Sequence, residues 1–268
     1  MKIGFIGCGN MATAMIAGIM DSGKFARENV MVSNPSKENL IAVQNAHGIQ
    51  ITQDNREVAA FAEILVLAVK PYLYEVVAKE IQKVLPVATV VVTIAAGISI
   101  EKMQVQLGRP QPVIRTMPNT PALVKTGVTA VCRSQEVSDD LYQGTIQLLE
   151  SFGKVFELPE SKMDVVPAIS GSAPAYVFML IEAMADAGVL DGLPRQIAKE
   201  MAAQTVLGAA KMVLDTGIHP EELKDRVCTP GGTTIEAVLT LEKNQFRSSV
   251  QEAMKACTKK TKEMTQSS

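Results

Sequence analysis

Tryptophan is absent from this chain of 268 residues, which contains only two histidines and four cysteines. The cysteines lie far apart and show no metal-type spacing; they are Cys8, Cys132, Cys228 and Cys257. We therefore expect no metal site, since neither cysteine nor histidine occurs in a ligand pattern. Unpaired cysteine spacing is typical of reduced thiols, which predicts a cytoplasmic protein.

The chain also lacks a large excess of either charge, because 26 Lys and Arg residues nearly balance 28 Asp and Glu residues. No basic stripe is present, so a nucleic-acid partner is not expected. The amino terminus runs straight into IGFIGCGN, which is too short and too rich in glycine for a signal peptide. The uncharged run 165–181 contains Pro, Ser and Gly and falls short of the ~20 residues of a membrane span. We interpret it as a buried helix and expect no membrane partner.

The first half of the chain alternates short apolar runs with helical stretches, including helices predicted over 10–22 and 138–151. The runs predicted as strands are KIGFIG, NVMVSN, ITQ, 64–69, 89–97, PVIRTMPN, GVTAVCR and KVFELP. Continuous apolar strands are typical of a parallel sheet buried on both faces. This βαβ rhythm predicts an α/β, Rossmann-type, doubly wound sheet over residues 1–160.

After Pro159 the strand rhythm stops, and an all-α domain over 161–268 is predicted. Its expected helices cover 175–188, 194–214, 220–227, 233–241 and 245–263. Segments such as EMAAQTVLGAAKMVL are apolar on more than one face, which a monomer would struggle to bury. A helical core shared between subunits would bury them, so we expect a homo-oligomer that dimerises through this domain.

A glycine motif lies between the first strand and the first helix. The run Gly7, Cys8, Gly9, Asn10, Met11, Ala12 fits G-x-G-x-x-A. In such a motif the first glycine allows a tight turn, and the second lets the backbone approach a pyrophosphate at the helix N-terminus. The alternative is a glycine turn in an α/β protein that binds no nucleotide.

The end of the second strand bears on the choice of cofactor. NAD-preferring sites usually carry Asp or Glu there, whereas this chain has Ser33 and Asn34. These side chains do not repel a 2′-phosphate, and Lys37 adds positive charge nearby, although Lys37 could equally be a solvated residue at a helix start. We predict NADP(H), with NAD(H) as the alternative.

Two buried strands end in short segments of the kind where ligands bind in open α/β sheets. The segments are Ala68, Val69, Lys70 and Pro71 after one strand, and Ala95, Ala96 and Gly97 after the next. The small residues among them would let a nicotinamide ribose lie close to the backbone. A third strand end, MPNTP, carries Asn119, which is either a ligand contact or a turn residue that satisfies its own backbone.

The run CTPGGTT, 228–234, is interpreted as a cradle for a carboxylate. Gly231 and Gly232 leave their amides open to close approach, and Thr233 with Glu236 fits a capping box that makes Thr233 the N-cap. The amides form an anion-binding nest at a helix N-terminus, and the hydroxyls of Thr229, Thr233 and Thr234 surround it. The alternative is a well-capped helix after a glycine-rich turn.

A second segment of small residues and hydroxyls, AISGSAPAYVF, precedes the long apolar helix. Ser172 in this segment is a candidate substrate contact, and Pro174 suits a first helical turn. The alternative is that these are packing residues where the helix meets the sheet.

The motifs GFIGCGNMATAMIAG, LAVKP, TIAAGI, RTMPNTPALV, SGSAPAYVF and LKDRVCTPGGTT stand in one order along the chain. In this the sequence resembles the pyrroline-5-carboxylate reductases over essentially its whole length. That family reduces the cyclic imine 1-pyrroline-5-carboxylate to proline with NAD(P)H. The resemblance implies a Rossmann domain followed by a helical dimerisation domain, and homodimers that often assemble into decamers.

The resemblance also implies roles for residues of this chain. It places the pyrophosphate on Gly7 through Met11 and the adenosine ribose near Ser33 and Asn34. Asn55 and the strand ends 68–71 and 95–97 would line the cofactor. The substrate carboxylate would lie on Thr229, Gly231, Gly232 and Thr233, with Thr234 facing the ring nitrogen as the catalytic residue. Cys228-Thr229 stands where Thr-Ser is common in the family, and Ala173 where Gly is common, so substrate affinity is open to change.

Two other functions are compatible with parts of the pattern. A β-hydroxyacid dehydrogenase would carry a catalytic lysine about one helical turn after a glycine-rich segment, but no lysine occurs from Ser172 to Glu182. A non-catalytic nucleotide-sensing protein would keep the first glycine motif and would have no use for the diglycine nest.

Overall fold

The computed structural model describes residues 1–267. All eight predicted strands are present: β1 (Ile3–Ile6), β2 (Val30–Ser33), β3 (Gln50–Thr52), β4 (Ile64–Leu67), β5 (Val90–Thr93), β6 (Val113–Pro118), β7 (Gly127–Arg133) and β8 (Gly153–Glu157). The helices between them are α1 (Asn10–Asp21), α2 (Lys37–His47), α3 (Asn55–Phe61), α4 (Tyr74–Ile81), α5 (Ile100–Leu107) and α6 (Asp139–Glu150).

The strands form one sheet in the order β3-β2-β1-β4-β5-β6-β7-β8. Its first six strands run parallel in the 3-2-1-4-5-6 order, while β7 is antiparallel to β6. The order reverses between β1 and β4, and dinucleotides bind outside the carboxyl ends of strands at such a switch point. The predicted Rossmann-type fold is therefore confirmed, and the glycine motif lies directly after β1.

Two apolar clusters cover the two faces of the sheet because neighbouring strand residues point to opposite faces. Phe5 belongs to one cluster, with side chains of α1, α2 and α6, and Ile6 belongs to the other, with side chains of α3, α4 and α5. Strands β1, β4 and β5 are buried throughout, as expected for a sheet covered by helices on both faces.

From residue 161 onward the chain is helical, as predicted, and no strand occurs there among the described residues. Its helices are α7 (Ala173–Leu190), α8 (Arg195–Thr216), α9 (Pro220–Val227), α10 (Thr233–Lys243) and α11 (Phe246–Ser267). The chain divides into two compact units, one of residues 1–172 with Cys257 onward, the other Ala173–Ala256. This division falls later than the boundary expected near 160, and the end of α11 returns to the first unit.

The expectation that the apolar run 165–181 forms a buried helix is wrong for a single chain. Ala185 is the one buried residue of α7, whereas Phe178 and Met179 are 63% and 68% exposed. The segment Pro167–Leu190 contains an 18-residue stretch with a mean hydropathy of 1.4, and it is long and apolar enough to cross a membrane by length and composition alone. The chain does not bury this surface by itself, so something outside the single chain must cover it.

A buried arginine joins three segments of the first unit. Arg115 on β6 is 5% exposed, and its Nη2 lies 2.6 Å from Asp164 Oδ1 while its Nη1 lies 3.4 Å from Glu160 Oε1. The Thr265 hydroxyl on α11 donates to the same Asp164 oxygen at 3.2 Å, and the Ile100 amide donates to Glu160 at 2.8 Å. A buried arginine with two carboxylate partners meets the requirement that buried charges be paired.

Candidate active site

The two glycines of the first motif serve different purposes. Gly7 has φ +100°, and a Cβ there would lie 2.6 Å from the Ala68 carbonyl oxygen, so the turn itself requires glycine. A Cβ on Gly9 would meet nothing within 4 Å, and Gly9 has an ordinary extended backbone with φ −89°. The protein's own packing therefore does not require glycine at position 9, and the space above it is open to a ligand.

The donors beside that space belong to the start of α1. Gly9 is the N-cap and supplies no side-chain cap, and the Asn10 and Met11 amides have no partner within residues 1–267. Free amides at a helix N-terminus favour an anion. The Cys8 amide is already used, because it donates to Asn34 Oδ1 at 3.2 Å. Burial raises the pKa of the Cys8 thiol, so this side chain stays neutral beside the loop.

Ser33, Asn34 and Asn55 lie together, as the resemblance implies. Ser33 is fully buried, and its hydroxyl donates to Asn55 Oδ1 at 2.7 Å, while Asn55 Nδ2 donates to Glu80 Oε2 at 2.8 Å. Asn34 holds the glycine loop through the Cys8 amide. The first residue of α2, Lys37, is exposed and forms no ion pair within the described chain. The end of β2 therefore presents amides and a free lysine and no carboxylate of its own.

The strand ends 68–71 and 95–97 follow β4 and β5, which are adjacent in the sheet. Gly97 has φ +79°, and a Cβ there would lie 3.3 Å from Met264 Cβ, so the left-handed backbone and the packing against α11 account for this glycine without a ligand. Tyr74 is a residue that the sequence interpretation missed. Its buried hydroxyl donates to the Leu67 carbonyl at 2.7 Å and accepts from the Ile94 amide at 3.3 Å. The sequence signal that could have identified this residue was an aromatic side chain in the otherwise ordinary run PYLYEVV.

Both amide atoms of Asn119 bond to protein. Nδ2 donates to the Ser170 carbonyl at 3.1 Å, and Oδ1 accepts from the Val128 amide at 2.8 Å. The side chain is buried and joins the end of β6 to the π-helical turn Pro167–Gly171, which precedes α7. Asn119 therefore does not satisfy its own backbone, as the turn alternative expects, but bonds to segments that are distant in sequence. Next to that turn, Ser172 Oγ lies 3.4 Å from the Cys257 sulfur.

The diglycine turn is built differently from the capping box that the sequence predicts. Gly232 is the N-cap of α10 and Thr233 is its first helical residue, and no side chain caps the helix. The prediction of Thr233 as N-cap is therefore wrong. The Gly232 amide donates to the Thr229 carbonyl at 3.0 Å, so this tight turn, and not the Thr-x-x-Glu spacing, sets the helix start.

The amides of the turn stay available for a ligand. Those of Gly231, Thr233 and Thr234 have no hydrogen-bond partner within residues 1–267. Gly231 has φ +69° with no neighbour within 4 Å of a Cβ, whereas a Cβ on Gly232 would lie 2.3 Å from Thr229 Oγ1. The Thr229 hydroxyl therefore lies directly against the Gly232 Cα. Three free amides and a neighbouring hydroxyl form a donor set suited to a carboxylate.

No group of three or more His, Cys, Asp or Glu side chains that could hold a metal ion exists among the described residues. Thr234 is half-buried, whereas Thr229 and Thr233 are exposed. The turn thus offers threonine hydroxyls and free backbone amides as hydrogen-bonding groups.

Two family models match the chain, each over one part of it. The model described as NADP oxidoreductase, coenzyme F420-dependent, matches residues 2–97. The model described as pyrroline-5-carboxylate reductase dimerisation matches residues 160–264, which include α7 to α10 and most of α11.

Full-length relatives carry the same description. The chain is 45% identical over 266 residues to the pyrroline-5-carboxylate reductase of Escherichia coli (strain K12), covering 99% of each chain. A crystal structure of Plasmodium falciparum pyrroline carboxylate reductase with NADP bound matches with a TM-score of 0.90 at 34% identity, over 98% of each chain. A pyrroline-5-carboxylate reductase structure from Coxiella burnetii matches with a TM-score of 0.91 at 33% identity, again over 98% of each chain.

Proposed function

The chain belongs to the pyrroline-5-carboxylate reductase family, and on that premise we propose how its residues divide cofactor binding, substrate binding and proton transfer. It is an oxidoreductase that reduces 1-pyrroline-5-carboxylate to L-proline with NADP(H), the last step of proline biosynthesis. The observation that carries this conclusion is the 45% identity over 99% of both chains with the Escherichia coli reductase. The alternatives of a β-hydroxyacid dehydrogenase and a nucleotide sensor explain neither that match nor the diglycine turn.

The residues after β1 fit a dinucleotide pyrophosphate. Gly9 leaves open space that the protein does not fill, and the Asn10 and Met11 amides are free to donate. We assign the pyrophosphate to these groups, with Gly7 shaping the turn and Cys8 held by Asn34. When bound, NADPH supplies the hydride that reduces the imine carbon.

The remaining contacts with the cofactor are assigned to residues at and near the ends of the strands. Ser33, Asn34 and Asn55 would lie beside the adenosine ribose, and Lys37 would favour the 2′-phosphate. Ala68, Val69, Lys70, Pro71, Ala95, Ala96 and Gly97 would line the nicotinamide side. We assign Asn119 a structural role beside this site, because its side-chain Nδ2 and Oδ1 both already bond to protein.

The diglycine turn is assigned to the substrate carboxylate. The free Gly231 and Thr233 amides and the Thr229 hydroxyl would fix its charge, with Gly232 allowing the Thr229 side chain to lie close. Thr234 would hydrogen-bond the ring nitrogen and pass on the proton that the nitrogen gains during reduction. Ser172 is proposed as a further substrate contact. Orienting the ring in this way is the main demand on the protein, since an iminium carbon already accepts hydride readily.

The chain forms a homo-oligomer through its dimerisation domain. We propose that residues 1–160 bind the dinucleotide, and that residues 161–268 bind substrate and form a dimer whose interface covers the exposed face of α7. Dimers that assemble further into decamers, a cytoplasmic location, and the absence of nucleic-acid and membrane partners are parts of the same proposal. Static light scattering of the purified protein, run without detergent, tests the oligomer and the membrane expectations together.

A spectrophotometric assay tests the reaction and the cofactor preference. NADPH and NADH oxidation are followed in parallel with pyrroline-5-carboxylate, and NADP+ reduction is followed with a series of β-hydroxyacids. We expect turnover with pyrroline-5-carboxylate, a higher kcat/KM with NADPH than with NADH, and none with the hydroxyacids. Turnover of a hydroxyacid without any turnover of pyrroline-5-carboxylate would instead identify the chain as a β-hydroxyacid dehydrogenase.

A further inference from the structure

Tyr74 lies between the carboxyl ends of β4 and β5. It begins α4, it is fully buried, and it is among the largest such side chains in the protein. Its hydroxyl donates to the Leu67 carbonyl at 2.7 Å and accepts from the Ile94 amide at 3.3 Å. Burial raises the pKa of this phenol far above its ordinary value, so it keeps the proton that it donates.

The position of this hydroxyl in the strand ladder is unusual. In the register of β4 and β5, Ile64 pairs with Val90, and the Val90 amide donates to the Glu63 carbonyl at 2.9 Å. A parallel ladder repeats every two residues, so continuing it leads to a bond from the Ile94 amide to the Leu67 carbonyl. Within residues 1–267 no direct bond joins these two groups. The Tyr74 hydroxyl takes the place of that hydrogen bond and bonds to both the Ile94 amide and the Leu67 carbonyl.

The inserted hydroxyl lies between the two strands at their carboxyl ends, next to the segments assigned to the cofactor. A direct rung joins the amide nitrogen and carbonyl oxygen at about 2.9 Å, whereas a bridging hydroxyl places two hydrogen bonds between them. The residues that follow are 68–71 after β4 and 95–97 after β5. The Tyr74 oxygen also faces the Ala95 amide. The Tyr74 hydroxyl therefore links the last residue of β4 to the residue that precedes segment 95–97.

We propose that Tyr74 is a positioning residue for the reduction: its hydroxyl holds the ends of β4 and β5 apart so that segments 68–71 and 95–97 can accept the nicotinamide half of NADPH. This inference rests on the proposed function for the identity of the ligand. Tyr74 acts through the two strand ends and does not itself contact the cofactor. Without the hydroxyl, the Ile94 amide can bond directly to the Leu67 carbonyl, and the opening between the segments narrows.

Tyr74→Phe tests the proposal because it removes one oxygen and keeps the ring that fills the core. The matched control is Tyr142→Phe on α6, which removes the same atom from another buried tyrosine, whose ring packs against Arg133 and not at the β4–β5 ends. NADPH is titrated directly, without substrate, against each full-length protein. We expect Tyr74→Phe to raise the Kd for NADPH about fivefold or more, as the loss of a buried hydrogen-bonded bridge implies.

Kinetics separate positioning from simple stability. In Tyr74→Phe the KM for NADPH should rise, while kcat at saturating NADPH and the KM for pyrroline-5-carboxylate stay within about twofold of wild type. An unchanged Kd for NADPH, or an equal rise in Tyr142→Phe, would overturn the proposal. If wild type binds NADPH and Tyr74→Phe weakens that binding, but no pyrroline-5-carboxylate is reduced, the proposed function fails and the role of Tyr74 stands.

A measurement on the wild-type protein decides the matter if Tyr74→Phe does not fold. Backbone hydrogen exchange is followed over segment 94–97, with and without NADPH. The proposal expects NADPH to slow exchange in this segment, because the cofactor would close the opening next to the Tyr74 bridge. Exchange that NADPH leaves unchanged in 94–97 would overturn it.

Discussion

At the residue scale, Gly231 and Gly217 offer a matched pair of substitutions. Both adopt a left-handed backbone, with φ +69° and +66°, and a Cβ on either would meet nothing within 4 Å. Changing each to alanine should therefore cost a similar ~1 kcal/mol of stability through backbone strain. Only Gly231→Ala should also raise the KM for pyrroline-5-carboxylate, by about tenfold, because its Cβ obstructs a hydrogen bond to a charged carboxylate. Thermal unfolding and steady-state kinetics of both variants measure these effects, and equal kinetics would remove the carboxylate from this turn.

Thr234 and Thr240, which both lie on α10, offer a second matched pair of substitutions. The Thr240 hydroxyl donates to the Glu236 carbonyl at 2.9 Å, whereas the Thr234 hydroxyl has no partner within residues 1–267. Thr234→Ala should lower kcat by roughly 10²-fold if the hydroxyl assists proton transfer, with the Kd for NADPH unchanged. Thr240→Ala should leave kcat close to wild type. A Thr234→Ala enzyme with normal kcat would take this residue out of the mechanism.

Residue-level patterns located the candidate site but did not settle its local geometry. The Thr233-x-x-Glu236 spacing predicts a capping box, yet the hydrogen bond from Gly232 to Thr229 moves the cap one residue earlier. The spacing of Thr233 and Glu236 carries no information about the turn before them, and it is this turn that determines where the helix starts. The bridging Tyr74 was equally invisible, because its role depends on two strand ends that are distant in sequence and meet only in the folded sheet.

At the scale of secondary-structure elements, the paired arginine on β6 should dominate the stability of its surroundings. Arg115→Met would remove the guanidinium from Asp164 and Glu160 and leave them the Thr265 hydroxyl and the Ile100 amide as donors. Removing one member of a fully buried ion pair costs about 3 kcal/mol, and we expect less here because the carboxylates are 23% and 37% exposed. Arg133→Met on β7 is the control, because its partner Asp139 is 87% exposed and such surface pairs contribute about 1 kcal/mol or less. Differential scanning calorimetry should show a clearly larger fall in Tm for Arg115→Met. Equal falls would mean that the buried pair adds nothing beyond a surface contact.

The strands were predictable at this scale because each is a short apolar run buried on both faces. The helices α3, α4 and α5 were not placed individually, since they have only seven or eight residues and show little more than two turns of periodicity. The charged residue within PVIRTMPN also fitted the strand pattern without revealing its partners, which lie 45 and 49 residues later.

At the scale of the whole molecule, the exposed apolar face of α7 should control assembly. Met179→Glu places a charge where the dimer interface would be buried, and should shift the protein toward monomer and reduce its activity. Val105→Glu on α5 is the control, since Val105 is likewise exposed, at 72%, and lies outside the dimerisation segment. Light scattering and activity at several protein concentrations measure both outcomes. A Met179→Glu protein that remains a full dimer would place the interface elsewhere.

The sequence predicted the apolarity of this helix correctly and its burial incorrectly. Composition shows that a surface avoids water but does not show which molecule covers it. The division of the chain shows the same limit: the change from strands to helices near 160 is visible in the sequence, while the compact units divide after Ser172 because packing, and not periodicity, defines them.

The return of α11 to the first unit has a consequence for how the protein is made. Met264 packs against Gly97, and Thr265 bonds to Asp164. Those contacts cannot form until residues 264 and 265 have left the ribosome exit tunnel. The first unit, although residues 1–172 are translated first, therefore completes its packing only after the whole of the second unit has been made.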